Sequence, residues 1–186
     1  STLRRINRQG DALASFEKAI VLKPDHAEAH NDRGVTLQEM KRYDDALASF
    51  DKAIALKTDH AGAYNNRGLH MVIKGHMPEA EKMFLKAIEL EPAFPSAWFN
   101  LANIREYQNT DHADVQNIRG LLNRPEVSPD DQEYLYFSLG KICDDCGRYD
   151  EAFEYYRLAN HIRNLGAERQ SDTKEPRPCG RGFSSN

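Results

Sequence analysis

Apolar residues recur along this chain at helical spacing, three and four positions apart, in stretches separated by short polar turns that carry Gly, Pro or Lys. The pattern then repeats itself. Blocks 27–60 and 61–94, laid over each other at a spacing of 34 residues, keep Arg33/Arg67, Gly34/Gly68, Ala46/Ala80, Phe50/Phe84, Ala53/Ala87, Ile54/Ile88 and Leu56/Leu90 in register. Lys41 and Gly75 separate two amphipathic halves in each block, while Pro78 and Pro92 stand where a helix begins and where it has ended. Each block reads as helix, short turn, helix. Gly34 and Ala46 lie in opposite halves of one block, and two helix axes come within about 8–10 Å only where the side chains at the crossing are small. Phe50, Ile54 and Leu56 fill the space beside that crossing. A single block cannot bury such a face, so the pattern predicts stacked blocks sharing one continuous core.

The same register extends beyond the central pair. Fourth positions of successive blocks hold His30, Tyr64, Trp98 and Tyr136, and eighth positions hold Gly34, Gly68, Ala102 and Gly140. The twentieth carry Ala46, Ala80 and Ala152, the twenty-fourth Phe50, Phe84 and Tyr156, and the twenty-seventh Ala53, Ala87 and Ala159. On these residues the chain resembles the tetratricopeptide repeat proteins, whose period is the one seen here. The resemblance implies an all-α fold, a right-handed α-solenoid of stacked helix-turn-helix pairs, over most of residues 1–164.

Block boundaries follow from that register. Residues 11–26 differ from 45–60 only at Glu17/Asp51, Val21/Ala55 and Pro24/Thr58, so 1–26 reads as a partial repeat whose first helix is mostly missing. Blocks 27–60 and 61–94 are complete. Block 95–127 begins conventionally at Pro95, Trp98 and Leu101 and then degenerates, with Thr110 or Asp111 as a cap and Val115, Ile118, Leu121 and Leu122 as an apolar stripe. The last block, 129–164, starts with Ser at a cap, Pro in the first turn and acids against the helix dipole (Ser128, Pro129, Asp130, Asp131). From Leu165 the apolar period stops, and the composition of 165–186 predicts a disordered tail. Phe153, Tyr156, Leu158 and Ile162 then leave an apolar flank on the last helix with no later segment to cover it.

Composition narrows the function. A net charge of -4 offers no general attraction to phosphate backbones, which argues against nucleic acid. No apolar run approaches the roughly 20 residues that cross a bilayer, so no membrane partner is expected. Three cysteines are few and odd in number, which favours a reducing, cytoplasmic setting over a disulfide framework. The sequence holds no HExxH, GxSxG, Walker loop or dinucleotide glycine fingerprint, so it predicts no catalytic residue, no cofactor and no metal. Cys143 and Cys146 have the spacing of a redox or metal pair, but they lie inside a predicted helix with Cys143 on the core position, and no second pair completes a zinc set. His26 and His60 are one place in two repeats and form no metal-binding spacing.

The resemblance also implies a site. In such arrays the first helix of each pair lines a concave groove that takes a protein or peptide ligand. Carried over, the fifth positions are Asn31, Asn65, Phe99 and Phe137, and the sixth are Asp32, Asn66, Asn100 and Ser138. An amide side chain carries donor and acceptor, so it can pair with both groups of an extended peptide backbone. This is similar to the asparagine ladder of the glycosyltransferase repeats, matched outright by Asn66 and Asn100 alone. Leu69, Val72 and Ile73, then Asn103, Glu106 and Tyr107, then Lys141, Asp144 and Asp145 continue the groove. Leu69 and Ile73 beside Phe99 and Tyr107 would suit an apolar ligand side chain, with packing against adjacent helices as the competing use. Arg33 and Arg67 read as structural, with packed stems and charged heads reaching water or an acid.

A second, narrower resemblance covers 118–163. The runs SPDD, FSLGK and AFEYYRLAN after a degenerate block are similar to the last repeats before the catalytic domain of bacterial sulfotransferases with tetratricopeptide arrays. It implies an accessory, acceptor-recruiting half of an enzyme, with its catalytic domain docking on the last helix pair.

Overall fold

The computed structural model describes the backbone of residues 2–172 and the side chains of residues 8–167. Among the described residues it holds nine helices and no strand: α1 (Thr2–Leu22), α2 (Ala27–Glu39), α3 (Tyr43–Leu56), α4 (Ala61–Ile73), α5 (Met77–Leu90), α6 (Pro95–Ile104), α7 (Ala113–Leu122), α8 (Pro129–Asp145) and α9 (Tyr149–Asp172). Helices α2/α3, α4/α5 and α8/α9 form tightly packed pairs, and each pair stacks on its neighbours. No described helix is long and apolar enough to cross a membrane.

Local chemistry places the ends. Each hairpin turn puts one residue in the left-handed region, Lys41 at φ 62°, Gly75 at 78° and Gly147 at 69°. Repeated histidines turn out to be helix caps: the Nδ1 atoms of His26 and His60 accept from Ala29 N at 3.2 Å and Ala63 N at 3.3 Å. Ser128 Oγ accepts from Asp131 N at 3.1 Å and caps α8 as its sequence predicts. The cap of α7 is His112 rather than Thr110 or Asp111, its ring accepting from Asp114 N.

Inside each pair the small residue and the aromatic interlock. A Cβ on Gly34 would lie 2.5 Å from Phe50 Cε1, one on Gly68 2.5 Å from Phe84 Cε1, and one on Gly140 2.6 Å from Tyr156 Cδ1. Phe50 and Phe84 are fully buried there, worth about 1.5–3 kcal/mol each. The main core runs from Met71 through Phe84, Trp98, Leu101 and Ile118 to Ile142, and a smaller cluster of Leu13, Leu37, Ala46 and Phe50 holds the N-terminal end.

One expectation needs correction. Helix α9 continues to Asp172, so residues 165–172 are helical and not a disordered tail; the remaining 173–186 lie outside the described residues. Charged and polar residues such as Glu168, Arg169 and Gln170 break the apolar period but are good helix formers, so the helix outlasts its buried face. In the degenerate block α6 ends at Ile104, and α8, not α7, is its main neighbour.

Candidate functional site

The first helices of successive pairs, α2, α4, α6 and α8, bring the predicted groove residues into one line. Asn66 Nδ2 on α4 donates to Asn31 Oδ1 on α2 at 2.9 Å, and Asn100 Nδ2 on α6 donates to Asn65 Oδ1 on α4 at 2.8 Å. The amides therefore form rungs between helices, each sixth position reaching back to the fifth position of the block before. Asn31 and Asn65 are buried in these rungs, while Asn66 and Asn100 stay half-buried. Asp32 is exposed and accepts from Asn31 Nδ2 at 3.2 Å.

The ladder stops at α6, where its next rung would join Phe99 to Ser138. Phe99 instead meets Tyr134 at 5.5 Å and Phe137 at 6.3 Å between ring centroids, and Phe137 lies under the Arg163 guanidinium at 4.7 Å. Ser138 turns its hydroxyl inward to Tyr134 O. The line of predicted residues thus has an amide half on α2, α4 and α6 and an aromatic half on α6 and α8. Leu69 and Val72 are half-buried against the core, Ile73 is 48% exposed, and Asn103 donates back to Phe99 O at 2.7 Å.

Tyr107 is not a groove residue. It is only 3% exposed and lies beyond the end of α6, where its hydroxyl donates to Asp114 Oδ2 at 2.8 Å. Burial and that hydrogen bond push its hydroxyl well above the usual tyrosine range. Around it Arg105 joins Glu81 on α5 (Nε to Oε1, 2.9 Å) and Asp114 on α7 (Nη1 to Oδ2, 2.7 Å). Burial works against the Arg105 charge, but the hydrogen bond to Glu81 and the Asp114 carboxylate outweigh it and raise its pKa. Asp145 on α8 accepts from Tyr107 N at 3.3 Å and pairs with Lys141 at 2.5 Å. Lys141 and Asp145 are thereby held in a structural network rather than free along the groove.

The structural reading of Arg33 and Arg67 agrees with the contacts: Arg33 Nη1 donates to Ser49 Oγ at 3.2 Å, and Arg67 Nε pairs with Asp51 at 2.7 Å. Cys143 is buried in α8 and Cys146 reaches Tyr107 O at 3.6 Å. Burial raises both thiols above their ordinary range. Sequence reasoning missed His70, fully buried on α4 with no partner on either ring nitrogen among the described residues. Its position carries no periodic signal. Burial, with Lys74 adding to it, lowers its pKa.

The geometry defines an all-α solenoid of stacked helix pairs. Residues 27–60 and 134–163 each match a family model described as tetratricopeptide repeat. Among solved structures, a crystal structure of MamA is 21% identical with a TM-score of 0.60, covering 89% of this chain and 94% of that one. A second crystal structure of MamA protein is 20% identical with a TM-score of 0.57, covering 93% and 90%. The first TPR of Spaghetti (RPAP3), solved bound to the HSP90 peptide SRMEEVD, is 22% identical with a TM-score of 0.50, covering 55% and 82%. A search of curated proteins found no significant match. The chain thus carries tetratricopeptide repeats and folds as a solenoid of that type.

Proposed function

We propose that this protein is a noncatalytic interaction scaffold that holds an extended peptide or protein segment along α2, α4, α6 and α8. The amide ladder carries the reading. Each rung uses one Nδ2 hydrogen of Asn66 or Asn100, so the second hydrogen and Oδ1 of each half-buried amide are left for a ligand backbone. Asp32, Leu69, Ile73 and Asn103 would flank the bound segment, and the aromatic end at Phe99 and Tyr134 would take an apolar side chain. That a similar fold was solved with a peptide bound supports a peptide as the ligand class. The accessory-domain alternative gains nothing from the fold, which both readings share.

The test is selection of peptides from a displayed library on the wild-type chain, repeated on an Asn66→Ala, Asn100→Ala, Phe99→Ala variant shown by circular dichroism to be folded. Loss of two backbone pairs and one apolar contact should weaken the selected peptides at least about tenfold. Peptides that bind the variant equally well would place recognition elsewhere.

A further inference from the structure

Helices α7, α8 and α9 leave a cleft that the amide ladder does not use. Arg119 and Leu122 on α7, Asn123 at its end, Tyr136 and Leu139 on α8 and Tyr155 on α9 line it, and its volume is about 270 Å³. At 3.6 residues per turn, Tyr136 and Leu139 lie about 150° around α8 from Phe137 and Lys141, so the cleft and the predicted groove use opposite faces of that helix. The cleft belongs to the degenerate block, where the ten-residue α7 lies against α8 without the close pairing of α2/α3 and α4/α5. Arg119 gives it its chemistry. Among the described residues four arginines are half-buried, Arg33, Arg67, Arg105 and Arg119. Three of them hand the guanidinium to a side chain of this protein, Ser49 for Arg33, Asp51 for Arg67, and Glu81 and Asp114 for Arg105, and Arg119 alone has no such partner there. The Tyr136 and Tyr155 rings stack at 6.2 Å and 28°, and neither hydroxyl is hydrogen-bonded among the described residues. Donors thus line a cleft floored by Leu122 and Leu139 that holds no carboxylate of its own.

We propose that this cleft binds a carboxylate carried on an apolar or aromatic stem, the carboxylate on Arg119 and the stem against Leu122, Leu139 and the tyrosine rings. A guanidinium fork meets a carboxylate through two parallel N–H donors, and phenol O–H and amide N–H groups add further donors. Charge separates a carboxylate from a phosphate. Arg119 lies in the last turn of α7, the end where a helix carries partial negative charge, so one guanidinium there balances a monoanion and not a phosphate dianion. The carboxylate can arrive as a free organic acid or as an acidic side chain of a docked peptide, and its chemistry at Arg119 is the same. The site is separate from the amide ladder and does not depend on what the ladder holds.

The test follows amide and arginine side-chain NMR signals of the full chain during titration with 4-phenylbutyrate, a capped phenylalanyl-glutamate peptide, 4-phenylbutanol and phenyl phosphate. Saturable shifts at residues 119–123, 136 and 155 are expected with at least one of the two carboxylates, and the tighter of them names the source. The alcohol and the phosphate should bind at least about tenfold more weakly, as should the carboxylate to Arg119→Gln. Asn123 is exposed and its N–H donates to Arg119 O at 3.2 Å, one turn further on. Asn123→Glu therefore supplies a tethered carboxylate beside Arg119 and should abolish binding even if Arg119→Gln fails to fold. The Asn66→Ala, Asn100→Ala protein should bind as wild type does. The proposal is overturned if neither carboxylate gives saturable shifts, if the alcohol or the phosphate binds as tightly, if Asn123→Glu or a folded Arg119→Gln binds as wild type does, or if the shifts fall on the asparagines instead.

Discussion

Single residues decide how closely the helices approach. Gly68 meets the Phe84 ring where a Cβ would stand 2.5 Å from Cε1, a distance that forces the ring or the helix to move. Gly68→Ala gains roughly 1 kcal/mol of helix propensity but loses about 1–3 kcal/mol to overpacking, so a net loss is expected, growing for Gly68→Leu. Urea midpoints of the three proteins check the order. Lys41 works in the opposite sense, since its φ of 62° is the conformation that Gly75 and Gly147 adopt in the other hairpins. Lys41→Gly should therefore stabilise by about 1 kcal/mol. His70 adds a pH term. Its folded pKa lies below 6.5, so its stabilising contribution is intact above that pH. It is lost as pH falls through the folded value, because the unfolded chain binds the proton first. Thermal midpoints between neutral pH and pH 5 should fall more for wild type than for His70→Leu; parallel curves would show that His70 is protonated at no cost.

At the scale of helices, the fourth block shows how far a periodic reading reaches. The glycines at 34, 68 and 140, the alanines at 46, 80 and 152 and the aromatics at 50, 84 and 156 reveal three helix pairs because each lies on a repeated crossing. The Arg105 network has no repeat to reveal it: Glu81, Arg105, Asp114 and Asp145 come from α5, the loop after α6, α7 and α8, and no spacing along the chain announces their meeting. Hence Tyr107 reads from the register as a groove residue, whereas the helix ends at Ile104 and the loop turns the ring into the core. The site was legible to a similar degree. Fifth and sixth positions named the asparagines, but only coordinates show that they bond to one another across blocks and so spend half of their donors. Asp114→Ala should cost about 1–3 kcal/mol, since it leaves the buried Tyr107 hydroxyl without an acceptor, and Tyr107→Phe about 1 kcal/mol. Equal urea midpoints for wild type and Asp114→Ala would reduce this network to surface pairing.

Across the whole molecule, stability is a sum of pair terms and the interfaces between neighbours, and it is not spread evenly. The main cluster extends without a break from Met71 on α4 to Ile142 on α8, joined by Trp98, Leu101 and Leu135. Among the described residues the N-terminal cluster has four buried members, and α1 adds only Leu13 to it. Leu47 on α3 and Tyr64 on α4 are partly buried against the main cluster. Unfolding should therefore begin at α1 and proceed through α2 and α3 before the α4 to α8 body opens. Native-state hydrogen exchange measures this directly: amides of α1 should exchange fastest, those of α2 and α3 next, and those of α5, α6 and α8 last, each 1.4 kcal/mol of difference giving about a tenfold change in rate. Uniform exchange across all helices would instead mean that the interfaces couple the stack into one cooperative unit, and the division between the two clusters would then carry no energetic boundary.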